Sequence, residues 1–249
     1  MRILVTSGGT SEKIDEVRKI TNTSTGKLAK EIIKAFQDSF DDIIIDLIST
    51  KKAVKPTNVN LFLIENVKDL QHAMLDCLEN NTYDVIIHCM AVSDYAVTKV
   101  YNEQKLIEDI YEQLKGKTID DPTIIKKSIE NVSFLDNSKK LSSDIEAMYV
   151  KLEKTPKIIS LIRKNAANSI IFGFKLLENV SDEELITVAK KQIKTNDTDF
   201  CVANDQVNIN NEQHKAIIIS KENNIVASAN TKQEVASAIV DIVINKLEN

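Results

Sequence analysis

Arg2-Ile3-Leu4-Val5-Thr6-Ser7-Gly8-Gly9-Thr10 opens the chain with a short apolar run that stops on two glycines. The run reads as a strand over 2–6, and the glycines as the turn that leaves it. Similar runs rich in β-branched residues recur at 42–48, 59–64, 84–90, 169–174 and 199–203. Between many of them lie segments of helical period. Leu28, Ile32, Ile33 and Phe36 mark one over 25–37, and Leu70, Met74, Leu75 and Leu78 mark another over 67–79. Further helices are expected over 156–166, opened by Pro156, and over 181–194, where Ser181 and Glu184 have capping-box spacing. The last is expected over about 231–247, with Val235, Ile239, Ile242 and Val243 on one face. Strands alternating with such helices imply βαβ units, hence an α/β fold with a mostly parallel sheet and helices on both faces.

Two stretches depart from that rhythm. Residues 214–228 read as a C-terminal β-hairpin turned at Glu222-Asn223-Asn224. Residues 96–139 are more polar and hold a helix-like piece at 103–115. They are expected to form an insertion, an arm or flap at about 96–143, within a single domain spanning 1–249.

Composition narrows the classes. The 249 residues are 43% hydrophobic and 28% charged, which is ordinary for a globular protein and excludes disorder as the main state. A net charge of -5 argues against a general nucleic-acid binder. The opening lacks the h-region of roughly 7–15 apolar residues that a secretory signal needs. No run approaches the roughly 18 apolar residues of a membrane span. Cys77, Cys89 and Cys201 are widely spaced and match no zinc pattern. A reduced, cytoplasmic protein without a His/Cys metal site is expected.

Glycine is scarce: the chain has five, where average usage would give about seventeen, and three of them are Gly8, Gly9 and Gly26. Gly8, Gly9 and Thr10 follow the first strand, where ligands bind in open parallel sheets. Asn22-Thr23-Ser24-Thr25-Gly26-Lys27 precedes the first helix and offers hydroxyls, backbone N–H groups and a lysine to an anion, although it is not a Walker A loop. Taken alone, each is also a plain turn or an N-capped helix. Arg18, on the loop between them, is placed to face a carboxylate or phosphate. His88-Cys89-Met90-Ala91-Val92-Ser93-Asp94-Tyr95 ends the fourth long strand. Within it, Asp94 suits a ribose or a metal ion but equally caps a turn, and His88 and Cys89 are better read as core. Ser138-Lys139-Lys140-Leu141-Ser142-Ser143 reads as a solvated face on composition alone. Gly173-Phe174 and Ala203-Asn204-Asp205 close two later strands; Phe174 could stack on a base or lie in the core. Unusual residues at successive strand ends are the pattern of a binding crevice.

In this order the residues resemble the phosphopantothenate–cysteine ligases. The resemblance runs from Thr6-Ser7-Gly8-Gly9-Thr10 through Asp15, Arg18 and Ile20-Thr21-Asn22-Thr23-Ser24-Thr25-Gly26-Lys27 to Ala91-Val92-Ser93-Asp94-Tyr95. It continues through Lys140-Leu141-Ser142-Ser143, Gly173-Phe174 and Ala203-Asn204-Asp205, and so covers essentially the whole chain. Gly173-Phe174-Lys175-Leu176-Leu177 stands in place of GFAAE, and Thr155-Pro156-Lys157-Ile158 in place of NPDI, as in the stand-alone bacterial ligases. A strand beginning at residue 2 leaves no room for a preceding flavin-dependent decarboxylase, so the stand-alone type is expected.

The resemblance implies a three-layer Rossmann-like fold and a two-step reaction. The carboxylate of 4'-phosphopantothenate attacks the α-phosphate of CTP or ATP, releasing pyrophosphate. The amine of L-cysteine then attacks the acyl-nucleotide. It implies catalytic roles for Asn22, Lys140 and Arg18, with Lys140 closing as a flap over the triphosphate. Nucleotide contacts are implied for Gly8, Gly9, Thr10, Ser24, Thr25, Gly26, Lys27, Asp94 and Phe174. Substrate contacts are implied for Asn22, Met90, Ala91 and Asn204, and Asp94 is the implied ligand of Mg2+. It further implies a homodimer acting on small molecules, without nucleic acid or membrane. Two other classes compete. An NAD(P)-dependent oxidoreductase is disfavoured because G-x-G-x-x-G is absent. A non-catalytic nucleotide sensor would bind nucleotide without consuming it, and fold alone does not separate it from an enzyme.

Overall fold

The computed structural model describes residues 1–210 and 213–248. The elements in chain order are β1 (Arg2–Ser7), β2 (Ser11–Lys13), β3 (Lys19–Thr21), α1 (Lys27–Ser39), β4 (Ile44–Thr50), β5 (Asn60–Ile64), α2 (Val67–Asn80), β6 (Val85–His88), β7 (Tyr95–Asn102), α3 (Glu103–Leu114) and α4 (Pro122–Glu130). They continue with β8 (Met148–Lys154), α5 (Ile158–Asn165), β9 (Ile170–Leu177), α6 (Asp182–Asn196), β10 (Phe200–Ile209), β11 (His214–Ser220), β12 (Ile225–Ala229) and α7 (Lys232–Leu247). The chain divides into two compact units. The first comprises residues 1–10, 22–92 and 156–249, and the second 11–21 and 93–155. The second unit is thus wider than the expected insertion at about 96–143, because it also takes in 11–21.

The first unit is built on an eight-stranded sheet ordered β12-β11-β10-β9-β6-β1-β4-β5. The six strands from β10 to β5 are parallel, and β11 and β12 are antiparallel. Numbered among themselves in chain order, the parallel strands run 3-2-1-4-5-6 across the sheet. That order reverses direction between β1 and β6, and a reversal of this kind opens a crevice beyond the carboxyl ends of the two strands.

Helices cover both faces, as parallel strands buried on two sides require. On one face Ile32, Ile33 and Phe36 of α1 and Val235, Ile239 and Val243 of α7 pack on Ile3, Val5 and Phe172. On the other, Leu70 and Met74 of α2 and Ile158 and Ile162 of α5 pack on Leu4, Ile86 and Ile171. Leu185, Ala189 and Ile193 of α6 extend this second layer over Cys201 and Ala203. The α1 apolar stripe read from sequence is the buried stripe of the helix. β11 and β12 form the expected C-terminal hairpin.

The second unit holds two short antiparallel sheets, β2–β3 and β7–β8, with α3 and α4. Val100, Tyr101, Val132 and Leu141 are its buried apolar residues, and the Lys99 ammonium lies 5.0 Å from the centroid of the Phe134 ring.

Two measurements check this packing. Phe36 is fully buried between α1 and the sheet. Phe36→Ala is therefore expected to lower stability by about 3–5 kcal/mol, read from urea denaturation of the first unit. His88 and His214 are also buried, and burial pushes each imidazole down to a pKa of about 4. The unfolded chain, with ordinary histidines near 6.5, then binds more protons than the folded one between about pH 4 and 6.5. Stability is expected to fall as pH drops through that window, and His88→Gln should make the fall shallower.

Candidate functional site

The crevice at the β1/β6 reversal is framed by three loops of the first unit: residues 8–10 after β1, 22–26 before α1, and 89–92 after β6. Backbone hydrogen bonds tie them together. Ala91 N donates to Gly8 O at 2.9 Å, and Thr10 N donates to Ala91 O at 3.0 Å. Asn22 N donates to Thr10 O at 3.0 Å, and the Asn22 Nδ2 amide reaches Val92 O at 3.4 Å. Gly9 lies so close to Asn22 that a Cβ there would collide with the Asn22 carbonyl. Gly9, Thr10, Asn22 and Ala91 are thereby brought together, and Asn22 stands where all three loops meet.

α1 begins at this junction, and its N-terminus is open. Gly26 precedes it in the left-handed region, with φ of 74°. Gly26 has no side chain to cap the helix, Lys27 N makes only a long 3.4 Å bond to Thr25 Oγ1, and the first turn contains no acidic residue. The N-termini of α2, α6 and α7 are instead closed by Asn66, Ser181 and Thr231. α5 also starts without a side-chain cap or an acidic first-turn residue, but only α1 opens at the sheet reversal, where its N-terminal N–H groups and the positive end of its dipole are receptive to an anion. Beneath α1 lies Ser7, whose buried Oγ has no hydrogen-bond partner among the described residues; a Cβ on Gly26 would press against this oxygen. Lys27 is exposed at the first position of the helix, and Ser24 and Thr25 lie on the approach.

Other residues singled out by sequence fall around this frame. Phe174 is half-buried against the α1/α7 core, and Asn204 is buried at the end of the parallel register of β10. The neighbouring Asp205 faces burial that opposes its charge, yet N–H groups of Val180, Asn179 and Val207 hold its carboxyl below the ordinary range. Met90 is different. Its backbone N donates to Thr6 Oγ1 at 3.2 Å, but its side chain packs among Leu4, Ile48 and Met74 in the core of the α2/α5 face. His88 and Cys89 are inert. His88 Nδ1 pairs with Thr6 Oγ1 at 3.0 Å, and burial pushes the Cys89 thiol up to about 12.

Arg18, Asp94 and Lys140 belong to the second unit. Arg18 does face a carboxylate, and it is the protein's own. Its Nε and Nη2 donate to Asp15 Oδ2 at 2.9 and 2.5 Å. Asp15 also accepts from the backbone N of Val17 and Arg18 at 2.9 and 2.7 Å, and from Leu141 N at 3.2 Å. The Arg18 guanidinium and these N–H groups hold the Asp15 carboxyl well below the usual range. Asn137 Nδ2 donates to Ile14 O at 3.0 Å, so the stretch 137–141 is pinned on both sides of Lys140, which itself is exposed. Asp15 is the functional candidate that the sequence reading placed only as part of a pattern. Its spacing of three from Arg18 was the available signal. Asp94 is exposed, and its carbonyl accepts from Thr155 N at 3.0 Å. Among the described residues no group of three His, Cys, Asp or Glu side chains is arranged to hold a metal ion, and no helix is long and apolar enough to cross a membrane.

The frame has counterparts of known structure and sequence. The chain is 29% identical over 240 residues to the coenzyme A biosynthesis bifunctional protein CoaBC of Thermococcus kodakarensis, covering 96% of this chain and 50% of that protein. The CoaBC protein of Borreliella burgdorferi is 28% identical over 247 residues, covering 97% and 52%. The chain thus spans about half the length of these relatives. The crystal structure of the DNA/pantothenate metabolism flavoprotein from Streptococcus pneumoniae superposes with a TM-score of 0.82 at 35% identity, over 99% of each chain. A structure of mutant Cab2 in complex with phosphopantothenate-cysteine shares the fold, with a TM-score of 0.63 at 15% identity over 100% of this chain and 89% of that one. Residues 1–133 and 134–247 match the family described as DNA/pantothenate metabolism flavoprotein, C-terminal domain. By that match, and by its likeness to the pneumococcal structure, the chain belongs to this family.

Proposed function

We propose that this protein is a phosphopantothenate–cysteine ligase of coenzyme A biosynthesis, with CTP as its nucleotide and ATP as the alternative. The observation that carries the reading is the open N-terminus of α1, set at the sheet reversal and braced by the loops that meet at Asn22. The bound structure of Cab2 and the coenzyme A role of the CoaBC relatives support the choice of substrates.

A carboxylate does not react with an amine until one of its oxygens becomes a good leaving group. In the first step a carboxylate oxygen of phosphopantothenate bonds to the α-phosphorus of the nucleotide, and pyrophosphate leaves. In the second the cysteine amine bonds to the acyl carbon, the C–O bond to the nucleotide breaks, and the monophosphate leaves with that oxygen. The amine loses a proton in the process. Such chemistry asks the protein for position and positive charge more than for a nucleophile. The inertness of His88 and Cys89 is consistent with this demand.

The backbone from Ser24 to Lys27 receives the phosphates at α1, with Gly8, Gly9 and Thr10 allowing close approach. Phe174 stacks on the base. Asn22 holds the acyl group through its amide, with Ala91 and Asn204 beside the substrate; Met90 contributes through its backbone. Lys140 neutralises the triphosphate and excludes water from the acyl-nucleotide. Arg18 acts on Lys140 indirectly, because the Asp15–Arg18 pair anchors Leu141. Asp94 would hold Mg2+, which when bound would supply charge neutralisation on the phosphates. A site with one carboxylate, Asp94, suits an ion that keeps its waters and binds mainly through substrate phosphates. The three cysteines are unpaired, as a reducing cytoplasm favours. A homodimer is the working state, and Tyr95 and Leu152, exposed on one face of β7–β8, are consistent with a covered face.

Pyrophosphate release from the purified protein, with phosphopantothenate, Mg2+ and CTP or ATP, tests the reading. Release should require phosphopantothenate and become multiple-turnover when cysteine is added. A folded protein that releases none with either nucleotide is not this ligase. Lys140→Ala is expected to lower turnover about a hundredfold or more with little change in the urea midpoint; wild-type turnover removes Lys140 from the mechanism. Arg18→Ala should also lower turnover, and should expose the 137–141 segment to faster amide exchange. Unchanged exchange there contradicts the anchoring role.

A further inference from the structure

The face of the sheet under α1 and α7 ends in positions that step outward across the register: Ser7 is level with Phe174 and Val202, Asn204 lies two residues beyond them, and His214 lies beyond Asn204. Val5 of β1, Phe172 of β9, Val202 of β10 and Ala216 of β11 all belong to the core on that face. Side chains alternate along a strand, so two residues nearer the crevice the same face carries Ser7, Phe174, Asn204 and His214. The cross-strand pairs Val202–Ile218 and Asn204–Ala216 fix the direction of β11 and put His214 beyond Asn204. Phe174 already belongs to the nucleotide reading and Asn204 to the substrate reading. His214 belongs to neither.

His214 is 6% exposed, and neither Nδ1 nor Nε2 has a hydrogen-bond partner among the described residues. Buried polar atoms without partners are rare and call for a ligand, water or ion. The His214 backbone N donates to Asn230 O at 2.6 Å, just before α7. Burial and the Lys232 charge together keep the imidazole neutral, so one ring N–H is available to donate. The Lys232 ammonium, donating to Asn210 O at 3.2 Å, is held below its ordinary range by burial and by repulsion from Lys27. Glu31 offsets that repulsion only in part. The first turns of α1 and α7 therefore bring two ammonium groups within mutual electrostatic reach. The backbone at the start of α7 is already satisfied, since Asn230 N donates to Glu234 Oε2 and Glu234 N to Thr231 Oγ1. What α7 adds is the Lys232 side chain. Two cations, an open helix N-terminus and an orphan imidazole on one face are jointly satisfied by a multiply charged anion longer than a single phosphate.

We propose that Lys232 and His214 hold the distal phosphates of the nucleoside triphosphate, the pair that leaves as pyrophosphate. This rests on the nucleotide reading of α1 and extends that site across the face to α7. Holding the leaving group at a separate pair of residues would let pyrophosphate charge develop without moving the α-phosphate or the acyl oxygen.

Calorimetric titration of the full chain with CTP, CMP, inorganic pyrophosphate and phosphopantothenate tests the assignment, with ATP and AMP in parallel. The variants are Lys232→Gln and His214→Asn. Lys215→Gln is the control, since Lys215 is exposed and pairs with Asp182. Lys232→Gln is expected to weaken triphosphate and pyrophosphate binding about tenfold or more, leaving monophosphate and phosphopantothenate affinities unchanged. His214→Asn should act in the same direction, and the control should not. Equal loss for CTP and CMP, loss for phosphopantothenate instead, or no loss in Lys232→Gln overturns the proposal even if His214→Asn fails to fold. Pyrophosphate binding that depends on Lys232, in a protein that binds no nucleotide, supports the phosphate site and removes the ligase reading. Binding of neither overturns both.

Discussion

The open N-terminus of α1 is the constraint on which the rest of the first unit depends. A helix that starts without a side-chain cap leaves N–H groups with no partner in the chain. Such a start persists only if the surrounding structure holds it. Here Gly26, in the left-handed region, turns the chain into the helix, and the α1 apolar stripe locks it onto the sheet. The sheet reversal between β1 and β6 leaves space in front of it. The same residues that stabilise the fold therefore set the position of an unfilled positive end. Under the proposed function, an anionic ligand is what completes the local hydrogen bonding.

A second constraint operates in the other unit, where Asp15 is buried and ionised. Such a carboxylate is tolerable only when paired and hydrogen-bonded. Arg18 and the N–H groups of Val17, Arg18 and Leu141 meet that need. By joining residues 15–18 to Leu141, the pair converts a polar stretch of sequence into an anchored segment with Lys140 at its exposed edge. The Lys140 ammonium is thus left exposed, while the backbone beside it is held.

Much of this was legible in the sequence because glycine is so sparingly used. Gly9 and Gly26 stand where a Cβ would collide with Asn22 or Ser7, and their rarity pointed to those turns. The six parallel strands were legible as short apolar runs, even edge strand β5 with Leu61 and Leu63 exposed, and the helices α1, α2, α5, α6 and α7 because each buries an apolar stripe of the right period. The short strands β2 and β3, and the longer pair β7 and β8, escaped that test. β3 is exposed at every residue, and β7–β8 is a two-stranded sheet with little buried surface to impose alternation. α4 was also missed, although Asp121 and Pro122 begin it with an N-cap and a first-turn proline. In the candidate site, loop motifs were readable and side-chain direction was not. Met90 stands in the right motif, yet its side chain turns to the opposite face. His214 and Lys232 became visible only through strand register, which brings a hairpin residue and a C-terminal helix to the first helix of the chain.

The central claim is that the carboxylate is activated through its own oxygen on the α-phosphorus. Phosphopantothenate carrying oxygen-18 in its carboxylate tests this directly. After turnover with cysteine, one labelled oxygen should appear in the nucleoside monophosphate, because the oxygen that attacked the α-phosphorus leaves with it. Label found in inorganic phosphate, or retained wholly in unreacted carboxylate and amide while product forms, would contradict the account.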